Sequence, residues 1–209
     1  MSPHIQIRKH IFHSPAFRSV VNEAITFFER TPSLSLPPSE HFEGTGVYAI
    51  YYRGSFESYL PLSKINKNAS IKPIYVGKAV PIGWGRGRTT AGKQTSELYS
   101  RLCQHARSIY QTKNLKIRDF SCRFMVLNCI EGDLIVPVEA ELIRKYRPVW
   151  NSALDGFGNH DPGKGRYEQS ISGWDILHPG RDWGKRLNGQ KPKIGAVKSR
   201  VARFFLKSN

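Results

Sequence analysis

The chain has 209 residues, of which 39% are hydrophobic, and it carries 32 Lys and Arg against 16 Asp and Glu for a formal net charge of +16. Its 11 Phe, 9 Tyr and 4 Trp allow a core to form and argue against intrinsic disorder. No apolar run approaches the roughly 20 residues of a membrane span, and residues 1–30 lack a signal-peptide pattern. We therefore expect a cytoplasmic protein of one domain with extensions.

The positive charge indicates a polyanion as partner, and nucleic acid is the commonest one. Residues 41–155 carry a net charge of +8 and residues 156–209 one of +7, whereas residues 1–40 carry +1. The segment from Trp183 to Asn209 contains no acid. It could be a solvated basic tail, but the charge of the whole chain favours a segment that contacts phosphates.

The first predicted element is a helix over residues 14–30, with Ser14 as its cap and Pro15 at its first position. The proline-containing segment TPSLSLPPSE follows at 31–40 and is typical of a linker. Residues 1–40 are therefore predicted to form an N-terminal helical arm with a Pro-rich linker.

Residues 41–155 predict a compact body with the order β–β–α–β–α, which is a small α+β fold with a mixed three-stranded sheet flanked by helices. Turn signals and glycines continue through residues 156–209, which we interpret as a basic extension for DNA contact. The predicted strands and helices of the body are strands Gly46–Tyr52, Ile74–Gly77 and Phe120–Leu127 and helices Glu97–Gln111 and Pro137–Arg147.

Cysteine usage gives no sign of a metal or disulfide framework. Cys103, Cys122 and Cys129 are odd in number and lack a CxxC spacing. We interpret them as buried reduced thiols of a cytosolic protein.

Two helices place candidate catalytic side chains beside apolar stripes. Arg101 and His105 lie four residues apart at the border of the buried face of their helix, although a surface Arg and a satisfied core His would fit the same pattern. On the later helix Glu139 lies along the apolar face, whereas Glu141 is expected to form an exposed pair with Lys145. An acid on an apolar face is costly unless it binds a metal or a proton.

The two adjacent strands contribute Tyr48 and Tyr75, whose phenols can emerge on one face if the strands pair. Taken singly, these are ordinary strand residues. Together with Arg101, His105 and Glu139 they form a set suited to phosphodiester cleavage, which needs a base, a cation near the phosphate and a carboxylate for a metal. The GWGRGR segment at 83–88 lacks the context of a dinucleotide fingerprint and is better suited to DNA, since Arg can bond guanine.

These motifs resemble those of the GIY-YIG nucleases. Gly46-Val47-Tyr48 and Tyr75-Val76-Gly77 match the family's two tripeptides with Val in place of Ile, and RLCQH at 101–105 and EAELIRKYRPVWN at 139–151 match its later helices. The resemblance covers about residues 41–155. His105 and the block at 156–183 are similar to the type II restriction endonucleases of the subgroup that cuts CCGCGG.

The resemblance implies a role for each matching residue. Tyr48 is expected to help deprotonate the attacking water, Tyr75 to orient phosphate or water, and Arg101 to stabilise the phosphate. His105 should bond Tyr48 or relay its proton, Glu139 should hold one Mg²⁺ (or Mn²⁺), and Asn151 should brace the site. The expected DNA contacts are Lys78, Arg86, Arg88, Lys164, Arg166 and Arg181.

A palindromic target implies a homodimer, in which each protomer cuts one strand. The resemblance to restriction endonucleases implies a cognate DNA methyltransferase as genetic partner, since a host must protect its own sites. Two other functions remain open at this point. One is a non-catalytic or structure-directed nucleic-acid-binding protein with the same fold. The other is an RNA-binding protein of the translation machinery, which the basic composition alone would allow.

Overall fold

The computed structural model describes residues 5–81, 83–84, 95–163 and 165–207. The strands of this part are β1 (Leu34–Ser35), β2 (Gly46–Tyr52), β3 (Tyr75–Ala79) and β4 (Phe120–Val126). Its helices are α1 (Pro15–Arg30), α2 (Leu60–Ile65), α3 (Glu97–Tyr110), α4 (Ile135–Tyr146), α5 (Val149–Ser152), α6 (Gly173–Leu177) and α7 (Ile194–Lys207). The α+β class is confirmed, and the predicted strands and helices of the body occur in the predicted order, but the sequence reasoning missed α2, which lies between β2 and β3, and the short helix α5.

The sheet has the strand order β1-β4-β2-β3, and each neighbouring pair is antiparallel. The prediction of a mixed three-stranded sheet is therefore wrong in strand number and direction. The additional strand is β1, in which Leu34 and Ser35 lie opposite Cys122 and Ser121 within the segment predicted as a linker. A strand of two residues at the sheet edge tolerates nearby prolines, so the composition of this segment gave no strand signal.

Helices cover both faces of the sheet. One face packs against α1 and α4, where Val47 and Ala49 of β2 contact a cluster that includes Phe28 and Val138. The opposite face carries Tyr48 and packs against α3 and the segments after it. All seven residues of β2 are buried, because this strand has a neighbour on each side and a helical layer on each face.

Helix α1 is capped as predicted: the Ser14 hydroxyl accepts a hydrogen bond from the Phe17 amide at 3.1 Å. Its buried side, which includes Val21 and Ile25, packs against α4. The N-terminal segment therefore contributes to the core of the protein.

The basic extension also contributes to the core through α6 and α7, which the sequence reasoning did not predict. Val197, Val201 and Phe204 of α7 are buried in the same cluster as Tyr48 and Trp174. The basic side chains of α7 face outwards, and Arg200 pairs with Asp155 at 3.0 Å. An amphipathic helix thus carries apolar residues into the core and leaves its charges available on the surface.

The cysteine prediction holds in part. The thiols are free, but only Cys122 is buried, whereas Cys103 is half-buried and Cys129 is exposed. Burial raises the pKa of Cys122 to about 12.

Among the residues that the structure describes, no helix combines the length and apolarity needed to cross a membrane.

A buried hydrogen-bond chain joins α6 to the core. The Trp150 indole donates to the Tyr59 hydroxyl at 2.8 Å, and this hydroxyl bonds His178 Nε2 at 2.6 Å. The other ring nitrogen of His178 lies 3.0 Å from Asn114 Oδ1. The chain requires a neutral imidazole, because a protonated ring would leave the Tyr59 hydrogen without its acceptor. Burial lowers the pKa of His178 to about 3.

We expect the free energy of unfolding to fall as the pH decreases from about 6.5 towards about 3, because the unfolded chain binds a proton at position 178 that the folded chain excludes. Because of this residue, the free energy of unfolding should be about 2 kcal/mol lower at pH 5 than at pH 7. Urea denaturation over a pH series would measure the slope. His178→Gln should make this slope shallower, whereas His10→Gln, at an exposed position, should leave it unchanged; equal slopes in all three proteins would contradict the prediction.

Candidate active site

Tyr48 and His105 form the buried centre of the site. Tyr48 Oη lies 2.5 Å from His105 Nε2, and the two side chains are 0% and 3% exposed. Burial, with a smaller contribution from Tyr75, raises the pKa of Tyr48 well above its usual value, and burial, followed by the charge of Arg101, lowers the pKa of His105 well below its own. Both groups are therefore neutral near pH 7.

Tyr75 lies on the same face of the sheet as Tyr48, with ring centroids 6.3 Å apart. The register brings Gly77 opposite Tyr48, and a Cβ at Gly77 would lie 2.5 Å from the Tyr48 hydroxyl. A Cβ at Gly46 would lie 2.0 Å from the Met125 carbonyl. The glycines of the two tripeptides thus leave space for the Tyr48 phenol and for the neighbouring strand.

Arg101 and Glu139 bring opposite charges to the two phenols. The Arg101 guanidinium lowers and the Glu139 carboxylate raises the pKa of both Tyr48 and Tyr75, although burial has the largest effect on each. Glu139 forms an ion pair with Lys78 of β3 and its side chain is 15% exposed. The exposed acid on the same helix, Glu141, pairs with Arg144 and not with Lys145 as predicted.

Asn151 on α5 holds the edge strand in place. Its amide accepts a hydrogen bond from the Val76 N–H and donates one to the Val76 carbonyl, each at 2.8 Å. The neighbouring Trp150 amide donates to the Ile74 carbonyl at 3.0 Å. Asn151 therefore forms, with the N–H and carbonyl of Val76 at the edge of β3, the hydrogen bonds that another strand would form. Val76 lies between Tyr75 and Gly77.

The segment after α5 closes the site with residues to which the sequence reasoning assigned no role. Phe157 stacks on His105 with ring centroids 4.6 Å apart. A Cβ at Gly158 would lie 2.6 Å from the Tyr75 hydroxyl, and His160 contacts the Arg101 guanidinium. These residues belong to no regular element, so periodicity could not reveal them. The signal was the Gly- and His-containing run GFGNH at 156–160, which begins five residues after the last matching motif ends.

A cavity of about 260 Å³ opens beside Arg101, His105 and His160. A second cavity of about 460 Å³ shares His160 and Trp183 with it and includes Arg166, which is exposed and for which a DNA contact stays a prediction. Lys78 is half-exposed at the edge strand. The predicted contacts at Arg86, Arg88 and Lys164 lie outside the described residues.

The predicted DNA contact at Arg181 is wrong. This residue is 1% exposed, and its guanidinium forms an ion pair with Asp175 at 2.6 Å and donates to the carbonyls of Gly156 and Phe157. Two indoles flank it, with Trp174 at 4.6 Å and Trp183 at 4.3 Å. Its position directly after the turn signal HPG at 178–180 gave no hint of burial, which depends on packing between α6 and the loop at 156–160.

The family described as the Eco29kI GIY-YIG domain has a model that matches residues 40–205. The chain belongs to this family. The match includes both tripeptides, the helices with Arg101 and Glu139, and most of the basic extension. No curated protein sequence matches the chain.

Membership of the GIY-YIG family confirms the resemblance and makes the chain a nuclease domain of the restriction endonuclease kind, with DNA as its substrate. The structure brings five of the six residues expected in the GIY-YIG site within reach of one another through contacts or charge, namely Tyr48, Tyr75, Arg101, His105 and Glu139. Asn151 supports the strand on which Tyr75 lies.

Proposed function

We propose that this GIY-YIG nuclease is a type II restriction endonuclease that makes double-strand breaks at the palindromic sequence CCGCGG by metal-dependent phosphodiester hydrolysis. The hydrogen bond between Tyr48 and His105, beside the Arg101 guanidinium and the Glu139 carboxylate, supports the proposal most directly. This group combines a proton acceptor, a phosphate-binding cation and a metal-binding carboxylate.

The proton of the attacking water is transferred through Tyr48 to His105. The Tyr48 oxygen takes the proton from water while its own hydrogen passes to His105 Nε2 across the 2.5 Å contact. A protonated Tyr48 with a raised pKa could not act as a base alone. The negative charge of a bound phosphodiester raises the pKa of His105 and so favours this transfer once DNA is in place.

The donor set at Glu139 fits a single Mg²⁺, with Mn²⁺ as a substitute. Mg²⁺ commonly binds proteins through one or two carboxylates and keeps waters and substrate phosphates as its other ligands. Within the described residues no cluster of three His, Cys, Asp or Glu is present, and Glu139 is the acid that we propose as the ligand. The ammonium of Lys78 already places a cation against this carboxylate. When bound, Mg²⁺ would supply a Lewis acid beside the leaving oxygen.

Double-strand cleavage of a palindrome requires two copies of the chain, because each copy has one such site. We therefore propose a homodimer on DNA, with a cognate DNA methyltransferase as the genetic partner that protects the host. The exposed basic residues of α7 and Arg166 would bind the phosphate backbone. This part of the affinity should weaken as the salt concentration rises.

Plasmid cleavage in Mg²⁺ tests the proposal. We expect discrete fragments whose sequenced ends give the recognition site, the cut position and its symmetry. Uniform nicking would indicate a structure-directed nuclease of the same fold, and binding without cleavage would indicate a non-catalytic protein. Competition between duplex DNA and RNA over a salt series would identify an RNA-binding protein.

Tyr48→Phe should reduce the rate of DNA cleavage by about a hundredfold or more, because it removes the oxygen that receives the water proton but keeps the buried ring. Single-turnover cleavage of a labelled duplex measures this rate. Tyr51→Phe is the matched control, since Tyr51 is buried on the same strand but on the opposite face of the sheet. Equal rates for the two variants would show that Tyr48 takes no part in the reaction.

A further inference from the structure

The loop at 156–160 reaches the catalytic group through successive residues. Phe157 packs on both His105 and Tyr75, with ring centroids 4.6 and 4.9 Å apart. The Gly158 carbonyl accepts a hydrogen bond from Arg101 Nη2 at 3.4 Å. Beyond Gly158, the His160 imidazole contacts Arg101 Nη1 through its Nε2. The loop therefore constrains both outer nitrogens of the Arg101 guanidinium.

We propose that His160 is a positioning residue, which holds the Arg101 guanidinium towards the scissile phosphate by accepting a hydrogen bond at its unprotonated Nε2. This inference rests on the proposed nuclease function and adds to it a second histidine from the basic extension. A guanidinium has no acceptor atom, so its partner at Nη1 must provide a lone pair. Gln104, at 3.1 Å from Nη1, gives a second acceptor from α3 itself.

The contact between Arg101 and His160 depends on the protonation state of the imidazole. A protonated ring has N–H groups at both nitrogens, so it would lose the acceptor and repel Arg101. Partial desolvation, then the charges of Arg101 and Arg181, lower the pKa of His160, which keeps the ring neutral near pH 7. The titratable and charged groups that face it from α3, from its own loop and from the segment after α6 are Arg101, His105, Arg107, Asp161 and Arg181.

The DNA-cleavage rates of two His160 variants distinguish a positioning role of this residue from a purely structural one. His160→Leu should lower the single-turnover rate by about ten- to a hundredfold, because Arg101 loses its partner, while duplex binding without metal is unchanged. His160→Gln should keep most of the rate, since its amide oxygen can accept the same hydrogen bond. Its rate should also persist to lower pH than that of the wild type, because position 160 no longer titrates. His13→Leu, at an exposed position before α1, is the control.

The pKa of His160, measured by NMR in the full chain, provides a readout that needs no cleavage. We expect this pKa to rise in Arg101→Met, because the neighbouring positive charge is removed. An unchanged pKa in Arg101→Met would overturn the inference even if the wild type does not cut DNA. If the wild type cuts and His160→Leu cuts equally fast, or if the Leu and Gln variants are equally slow with the pH profile of the wild type, the positioning role fails and the nuclease function stands.

Discussion

Glu139→Gln should abolish DNA cleavage and leave duplex binding intact. The amide keeps the shape of the side chain but removes the negative charge that would hold Mg²⁺ beside the leaving oxygen. Loss of several kcal/mol of transition-state stabilisation corresponds to a fall in rate of more than about a thousandfold. Lys78, the ion-pair partner of Glu139, is 35% exposed at its side chain, so water can solvate its ammonium in the variant and the fold should persist.

Glu141→Gln provides the matched control for this substitution. Glu141 lies on the same helix and bonds Arg144 at the surface, outside the catalytic group. The single-turnover cleavage rate of Glu141→Gln should equal that of the wild type. An electrophoretic mobility shift assay without metal should give the same duplex affinity for both variants and the wild type. Cleavage by Glu139→Gln within about tenfold of the wild-type rate would exclude a metal-holding role for this carboxylate.

The central elements of the fold follow from local sequence signals. Apolar periodicity predicts α3 and α4 to within two residues at each end, and Ser14 with Pro15 fixes the start of α1. The catalytic side chains then follow from the motifs, because the antiparallel register of β2 and β3 places Tyr48 and Tyr75 on one face. These features depend on contacts between neighbours in sequence or on adjacent paired strands.

The remaining features depend on packing between distant segments. Strand β1 has two residues and gains its pairing only from β4, which lies more than 80 residues later in the chain. Helix α7 is amphipathic, but its high positive charge suggested a solvated tail. Its apolar residues Val197 and Val201 are buried only because α7 packs on the core of the folded chain. His160 and Arg181 lie in irregular segments, where only the folded chain determines whether a basic residue meets DNA, a catalytic group or a buried acid.

Arg181→Met should lower the free energy of unfolding by about 3–5 kcal/mol, because it leaves Asp175 buried without its counter-charge. Two hydrogen bonds of 2.6 Å join the guanidinium to the Asp175 carboxylate. The other guanidinium contacts hold the loop that covers the catalytic group, since Gly156 and Phe157 lose their donors together. Urea denaturation measures the loss, and Arg200→Met, in an exposed pair with Asp155, should cost no more than about 1 kcal/mol.

The double variant Arg181→Met with Asp175→Leu distinguishes an uncompensated charge from lost packing. If the buried carboxylate causes the loss, the double variant should be more stable than Arg181→Met alone, because its apolar side chains leave no charge to desolvate. Cleavage should nevertheless be slower than wild type in both Arg181→Met and the double variant, since the carbonyls at 156 and 157 lack the donors that fix the loop over His105. If the double variant instead loses as much free energy of unfolding as the two single variants together, the stabilisation comes from packing of the guanidinium between Trp174 and Trp183.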